Sequence, residues 1–124
     1  SINKVKDFKN KELPMKKLML AVFLCLLSIN SYSAKRVIQL VNHQYEGVKQ
    51  WLPGTIIVNQ GDDVEIHLIN KKGIHGFRIK AFNIEETVTS KKVKKVTFKA
   101  SKKGIHKIDC QMHGAHVGGQ LIIQ

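Results

Sequence analysis

Cys110, His113 and His116 fall within seven residues of one another, in the run Cys110-Gln111-Met112-His113-Gly114-Ala115-His116. A Cys-x2-His spacing lets a thiolate and an imidazole reach one ion. Gly114, Gly118 and Gly119 permit the tight backbone that such a loop requires. Thiolate and imidazole together select copper or zinc over calcium and magnesium. A further candidate donor, His75, stands at a turn-to-strand junction, Gly73-Ile74-His75-Gly76-Phe77. Each residue also has a plainer reading. Cys110 could be a buried structural thiol, His75 a loop histidine beside a packing Phe77, and His116 a solvent-exposed residue or one that hydrogen-bonds a ligand instead of being one. Only loop geometry decides the last case. No general base, nucleophile triad or phosphate loop stands elsewhere in the chain.

These donors have to be positioned by strands, because no long stretch carries a 3.6-residue apolar period. Val37–Val41 is apolar-rich, and a polar stretch holding Tyr45 and Trp51 leads to Pro53-Gly54. Thr55–Val58 is β-branched, and Gly61-Asp62 is a turn. Val64, Ile66 and Leu68 alternate with Glu65 and His67, the period of a half-buried strand. After Lys71-Lys72-Gly73 come Ile74–Ala81, then Val96, Phe98 and Ala100 in alternation, a turn at Lys102-Lys103-Gly104, Ile105–Cys110 and Gln120–Gln124. Residues 83–89 fit a helical turn or a loop. The pattern predicts a small all-β, antiparallel sandwich or barrel. His106 shares parity with Ile108 and Cys110 and reads as structural, whereas His43 and His67 read as surface residues.

The first third differs. Met15-Lys16-Lys17 and the apolar run Leu18–Leu27 have the shape of a secretory signal peptide, and the run is too short to span a bilayer. Ser31 and Ser33 fit the −3 and −1 positions, so cleavage is expected after Ser33. Leu24 before Cys25 argues against lipidation. The expected divisions are a non-native or overlong extension (1–14), the signal peptide (15–33) and one domain (34–124). That domain holds one cysteine, Cys110, in an oxidising compartment where an unpaired thiol needs a reason.

Of the 124 residues, 21 are Lys or Arg and 9 are Asp or Glu, a net charge of +12. Taken bare, that charge suggests a nucleic-acid partner. Residues 1–33 hold six Lys against two acids, which leaves the expected domain with 15 Lys and Arg against 7 acids, or +8. In an exported protein this suggests steering toward an acidic partner or an anionic membrane surface, and no nucleic acid. The lysines at 91, 92, 94, 95, 99, 102, 103 and 107 read as a solvated, aggregation-resistant face.

The order Pro53, Ile57-Val58, Gly61-Asp62, Val64, Asn70, His75-Gly76-Phe77, Gly104, Cys110-x2-His113 and Gly119-x-Leu121 resembles the cupredoxin family over residues 37–123. The resemblance implies a Greek-key β-sandwich of the cupredoxin type, with one mononuclear copper near one end. It makes His75 the upstream His ligand, Cys110 the thiolate and His113 the downstream His. The sequence departs from plastocyanin-like sites in its fourth ligand, because positions 117–120 are Val, Gly, Gly and Gln where a Met would stand. Met112 lies between two ligands and is expected to point away, so His116 is the substitute. A histidine there would lower the potential and favour Cu(II). The one Cys and second terminal-loop His are similar to the red copper protein nitrosocyanin, whose Cys-loop spacing is longer. Glu85 and Glu86, the acids nearest His75, have nothing to place them at the metal. One cysteine excludes a dinuclear purple copper centre.

Three functions follow from this resemblance. The first is single-electron transfer between exported redox partners in the periplasm or outside the cell. The second is periplasmic copper sequestration or delivery, with a copper donor or acceptor as partner and zinc as a tetrahedral alternative. The third is a small red-copper-type enzyme.

Overall fold

The structure, a computed structural model, describes residues 14–27 and 33–124. The chain divides into two units, at residues 1–32 and 33–124. In the first, Met15–Leu27 forms helix α1. Among the described residues no helix is long and apolar enough to cross a membrane. Residues 1–13 of the expected extension, and most of the expected cleavage segment (28–32), lie outside the described residues.

The second unit is all-β. Its strands are β1 (Lys35–Tyr45), β2 (Val48–Leu52), β3 (Thr55–Val58), β4 (Asp63–Asn70), β5 (Ile74–Ile79), β6 (Ile84–Thr89), β7 (Lys94–Lys99), β8 (Gly104–Ile108) and β9 (Gly119–Ile123), with one 3-10 turn at Lys80–Phe82. One sheet runs β2-β1-β4-β7, a second runs β3-β9-β8, and β5 pairs with β6. Arg78 and Asp109 exchange two backbone hydrogen bonds (2.8 and 3.0 Å), which join the β5–β6 pair to the strand end beyond β8.

Alternation decides what each strand buries. In β4, Val64, Ile66 and Leu68 face inward at 0–2% exposure, and burial of each such side chain stabilises by about 1.5–3 kcal/mol. They meet Leu40 of β1, Phe77 and Ile79 of β5, Ile108 of β8, and Leu121 and Ile123 of β9 in one core. Trp51, in the stretch that reads as polar, is core as well, and its ring meets Phe77 edge-on at 5.9 Å.

Two expectations need correction. The sandwich is not purely antiparallel: β1 pairs parallel with β4, and β3 parallel with β9. Strand period carries no information on direction, which depends on how distant segments meet. Within residues 83–89, an ambiguous segment left open to a helical turn or loop, Ile84–Thr89 forms strand β6, with His75 opposite Val88 and Ile79 opposite Ile84. The helical turn is displaced upstream to Lys80–Phe82, where Asn83 at φ 53° ends it.

Candidate metal centre

His75 is the second residue of β5 and shares its inward face with Phe77 and Ile79, which leaves it 3% exposed. Its Nε2 lies 3.0 Å from the carbonyl oxygen of Lys72, in the turn just before the strand. A carbonyl can only accept, so Nε2 carries the proton and donates. Nδ1 is then the lone-pair nitrogen, and it is buried with no hydrogen-bond partner among the described residues.

Cys110 follows the Arg78–Asp109 bridge. Arg78 grips the Asp109 carboxylate with a two-pronged contact, Nε to Oδ1 at 2.8 Å and Nη2 to Oδ2 at 2.6 Å. The strand carrying His75 is thereby locked to the residue before the thiol. The contact holds the Arg78 pKa above and the Asp109 pKa below their ordinary values, with hydrogen bonding between them the leading cause. Cys110 Sγ accepts a hydrogen bond from the Gly76 amide at 3.2 Å, and Trp51 Nε1 donates to the Gly76 carbonyl at 3.0 Å. A Cβ at Gly76 would meet the end of the Gln111 side chain, which would have to turn away and give up the 3.0 Å hydrogen bond that its Nε2 donates to the Glu86 carbonyl.

The chain then turns back. His113 Nδ1 lies 3.7 Å from Cys110 Sγ, and the His113 ring centroid is 5.1 Å from that of His75. The His116 amide donates to the His113 carbonyl at 3.1 Å to close the turn, and the Val117 amide donates to Lys49 of β2 at 2.7 Å to dock it. One donor atom from each of His75, Cys110 and His113 lies within 4.8 Å of the other two. Met112 is exposed, and Glu86 pairs with Lys94 Nζ at 3.2 Å instead of joining the donors.

His116 stands beside this group and outside it. It is buried, 5.5 Å from His75 ring to ring. Its Nε2 lies 2.9 Å from Asn42 Oδ1 and its Nδ1 3.1 Å from the Val117 carbonyl oxygen. Burial is the main reason the His75 and His116 pKa values both fall below the ordinary imidazole value. For His75, repulsion from His116, His113 and Lys49 adds to it, against the Lys72 hydrogen bond. For His116, repulsion from His113 and Lys49 adds, against its contact with the Val117 carbonyl.

Asn42 and Asn70, both 4% exposed, are missed by the sequence reading as parts of the centre. A signal for them exists. Asn42 is in phase with Leu40 on β1, and Asn70 continues the inward set Val64, Ile66 and Leu68 on β4. A polar side chain at a core-facing position has to find partners, and so marks a built polar site. The other histidines lie apart from the donors. His106 packs on Phe82 (5.3 Å) and contacts the Lys102 carbonyl oxygen (2.8 Å), His67 pairs with Glu65 (2.6 Å) and His43 is exposed.

Residues 16–123 match the family model described as Cupredoxin-like domain. No match is found among curated proteins. Among solved structures, copper nitrite reductase from Nitrosomonas europaea is similar with a TM-score of 0.62 and 20% identity, over 73% of this chain and 41% of that one. A chain in the mixed-disulfide complex of a thioredoxin-like protein with subunit II of cytochrome c oxidase gives 0.60 and 15%, over 79% and 87%. Blue copper oxidase from Nitrosomonas europaea gives 0.59 and 16%, over 73% and 39%. At these identities the likeness is one of fold, and this chain spans about two-fifths of the length of the first and the last.

Proposed function

The chain belongs to the cupredoxin-like domain family, and on that premise we propose that it is an exported copper-binding protein passing single electrons through one mononuclear centre, with His75, Cys110, His113 and His116 as ligands. The observation that carries this reading is the convergence of a thiol and two imidazoles, from separate parts of the chain, within 4.8 Å. The residues fit a metal. A buried nitrogen lone pair without a partner is costly, and the His75 Nδ1 atom is such a nitrogen. One thiolate with imidazoles suits copper or zinc. Copper is favoured because similar folds are named as a copper nitrite reductase and a blue copper oxidase.

Bound there, copper supplies a one-electron couple and a thiolate charge-transfer colour. The remaining work belongs to the chain. The Gly76 amide orients the sulfur and withdraws charge from it. The Arg78–Asp109 grip and the Lys49 contact hold the two ligand-bearing segments fixed, which favours one geometry in both oxidation states. His113 is the least buried of the three gathered donors, and its outer edge is the exit for an electron. Residues 15–33 act as the leader, and 34–124 work in the periplasm or outside the cell, against an acidic redox partner or copper donor.

Copper loading of the full chain, followed by optical and paramagnetic spectra, tests this reading. Cys110→Ser should abolish the charge-transfer band, and colour that survives it overturns the assignment. An intense blue species indicates a weak fourth ligand, whereas a red or yellow one supports His116. Sequestration or delivery is the second reading, favoured by the concavity that Arg78, Lys107, Cys110, His113 and Gly114 line beside the donors. Rapid loss of copper to a chelator would favour it over electron transfer. A red-copper-type enzyme is third, and a spectral change on adding azide would favour it.

A further inference from the structure

We propose that Asn70 is a shared positioning residue: through Asn42 on one side and the Lys71–Gly73 turn on the other, it sets both buried histidines, His116 and His75, as Nε2–H tautomers with Nδ1 left as the donor atom. The clause about metal binding rests on the functional reading above; the tautomer assignment does not.

The argument starts from atoms whose role cannot vary. Asn70 Nδ2 lies 2.7 Å from the Gly73 carbonyl oxygen and 3.0 Å from the Val88 carbonyl oxygen. Both carbonyls accept only, so the amide nitrogen of Asn70 must face them, and its orientation is determined by the backbone alone. Its Oδ1 is then directed at two donors, the Lys72 amide (3.3 Å) and Asn42 Nδ2 (3.3 Å).

The second contact orients Asn42. With Nδ2 turned to Asn70, Asn42 presents Oδ1 to His116 Nε2 at 2.9 Å. That oxygen accepts only, so Nε2 is the protonated nitrogen of His116. A neutral imidazole has one N–H. The Val117 carbonyl oxygen, 3.1 Å from Nδ1, therefore faces a lone pair, in a corner that a cation or an added proton would satisfy.

The first contact shapes the other arm. Asn70 holds the turn from both sides, accepting from the Lys72 amide and donating to the Gly73 carbonyl. The Lys72 carbonyl then meets His75 Nε2 at 3.0 Å, which leaves His75 Nδ1 as the lone-pair atom among the donors. One asparagine on β4 thus reaches a histidine on β5 through a turn, and a histidine in the terminal loop through β1. The parallel register that puts Asn42 opposite Asn70 makes the second path possible. Fixing tautomer and ring orientation from outside the donors is how such partners tune a metal site.

The test reads imidazole nitrogen shifts by NMR on the metal-free full chain, with copper affinity measured beside it. In the unaltered chain both His75 and His116 should show protonated Nε2 and unprotonated Nδ1. Asn42→Leu, close in size and lacking the amide, should move His116 toward the Nδ1–H form, drawn by the Val117 carbonyl, and leave His75 unchanged. Asn70→Ala should disturb both. Each variant should weaken copper binding about 10- to 100-fold. A protonated Nδ1 on either histidine of the unaltered chain overturns the proposal, as does a His116 pattern indifferent to Asn42→Leu. A folded Asn70→Ala with both tautomers unchanged overturns it too, and if that variant does not fold, Asn70→Ser is read in its place with the same outcomes. Copper affinity unchanged in Asn42→Leu, with the tautomer shifted, overturns the positioning role. A chain with the expected tautomers that takes up no copper fails the functional reading and leaves the tautomer assignment standing.

Discussion

His75 and His116 are held neutral by burial, and this gives the metal-free chain a pH dependence of definite sign. Both folded-state pKa values lie below 6.5, whereas the unfolded chain takes up protons near 6.5. In the interval between, the unfolded chain binds more protons, so stability rises with pH. The stability is full above 6.5, falls as pH drops through that value, and stops falling below the folded pKa values. Denaturant midpoints of metal-free protein from pH 7.5 to 5.5 should therefore decline. His75→Gln with His116→Gln should flatten the slope, and a slope unchanged in that variant would assign it elsewhere. A second loss belongs to lower pH. Glu65 is held down at about 2, first by its hydrogen bond to His67 and then by Lys35 and Lys95. Its contribution is present above 4.5 and disappears as pH falls toward about 2. At this scale the donor types and the Cys-x2-His reach were legible in the sequence. The state of each imidazole was not, because it depends on which oxygen a ring meets.

At the scale of elements, the parallel β3–β9 pairing brings two backbones unusually close. A Cβ on Gly119 would lie 2.5 Å from the Gly54 carbonyl oxygen, which already accepts from the Gln120 amide at 2.9 Å. Gly119→Ala must move main chain, and overpacking of this kind costs about 1–3 kcal/mol. Gly114→Ala, in the same loop region with nothing among the described residues within 4 Å of its Cβ position, should change stability by less than about 0.5 kcal/mol. Thermal denaturation of the pair checks the contrast. Equal effects would mean that close approach at Gly119 is not what matters. Strand β6 shows why one element resisted sequence reading. Its two buried apolar residues, Ile84 and Val88, are four apart, a spacing that a helical turn and a strand both allow. Glu86 between them, opposite Phe77, removes the alternation that marks β4. Pairing with β5 decides the matter, and period alone does not.

Over the whole molecule, charge is the long-range feature. Lys94, Lys95 and Lys99 lie on β7, an outer strand of the four-stranded sheet, where lysines discourage edge-to-edge pairing. Their ion pairs with Glu86, Glu65 and Asp63 are surface contacts with little effect on stability. Residues 34–124 retain +8 after these pairings, so an acidic partner should be drawn from a distance. Association with polyglutamate should weaken by roughly tenfold or more from about 0.02 M to about 0.2 M salt, measured by titration at fixed pH. Binding that ignores salt would rule out steering by this charge.

Local order in the chain determined the alternating strands, the Gly-marked turns, and a thiol three residues from an imidazole. Each of these depends on neighbours a few bonds away, and short-range geometry suffices to read them. Tertiary structure decided the rest. It brought His75 beside Cys110 through the Arg78–Asp109 bridge, ran β1 parallel to β4, and so set Asn42 against Asn70. Hydrogen bonds have direction, and two asparagines 28 residues apart acquire donor and acceptor ends only when the backbone around them is in place.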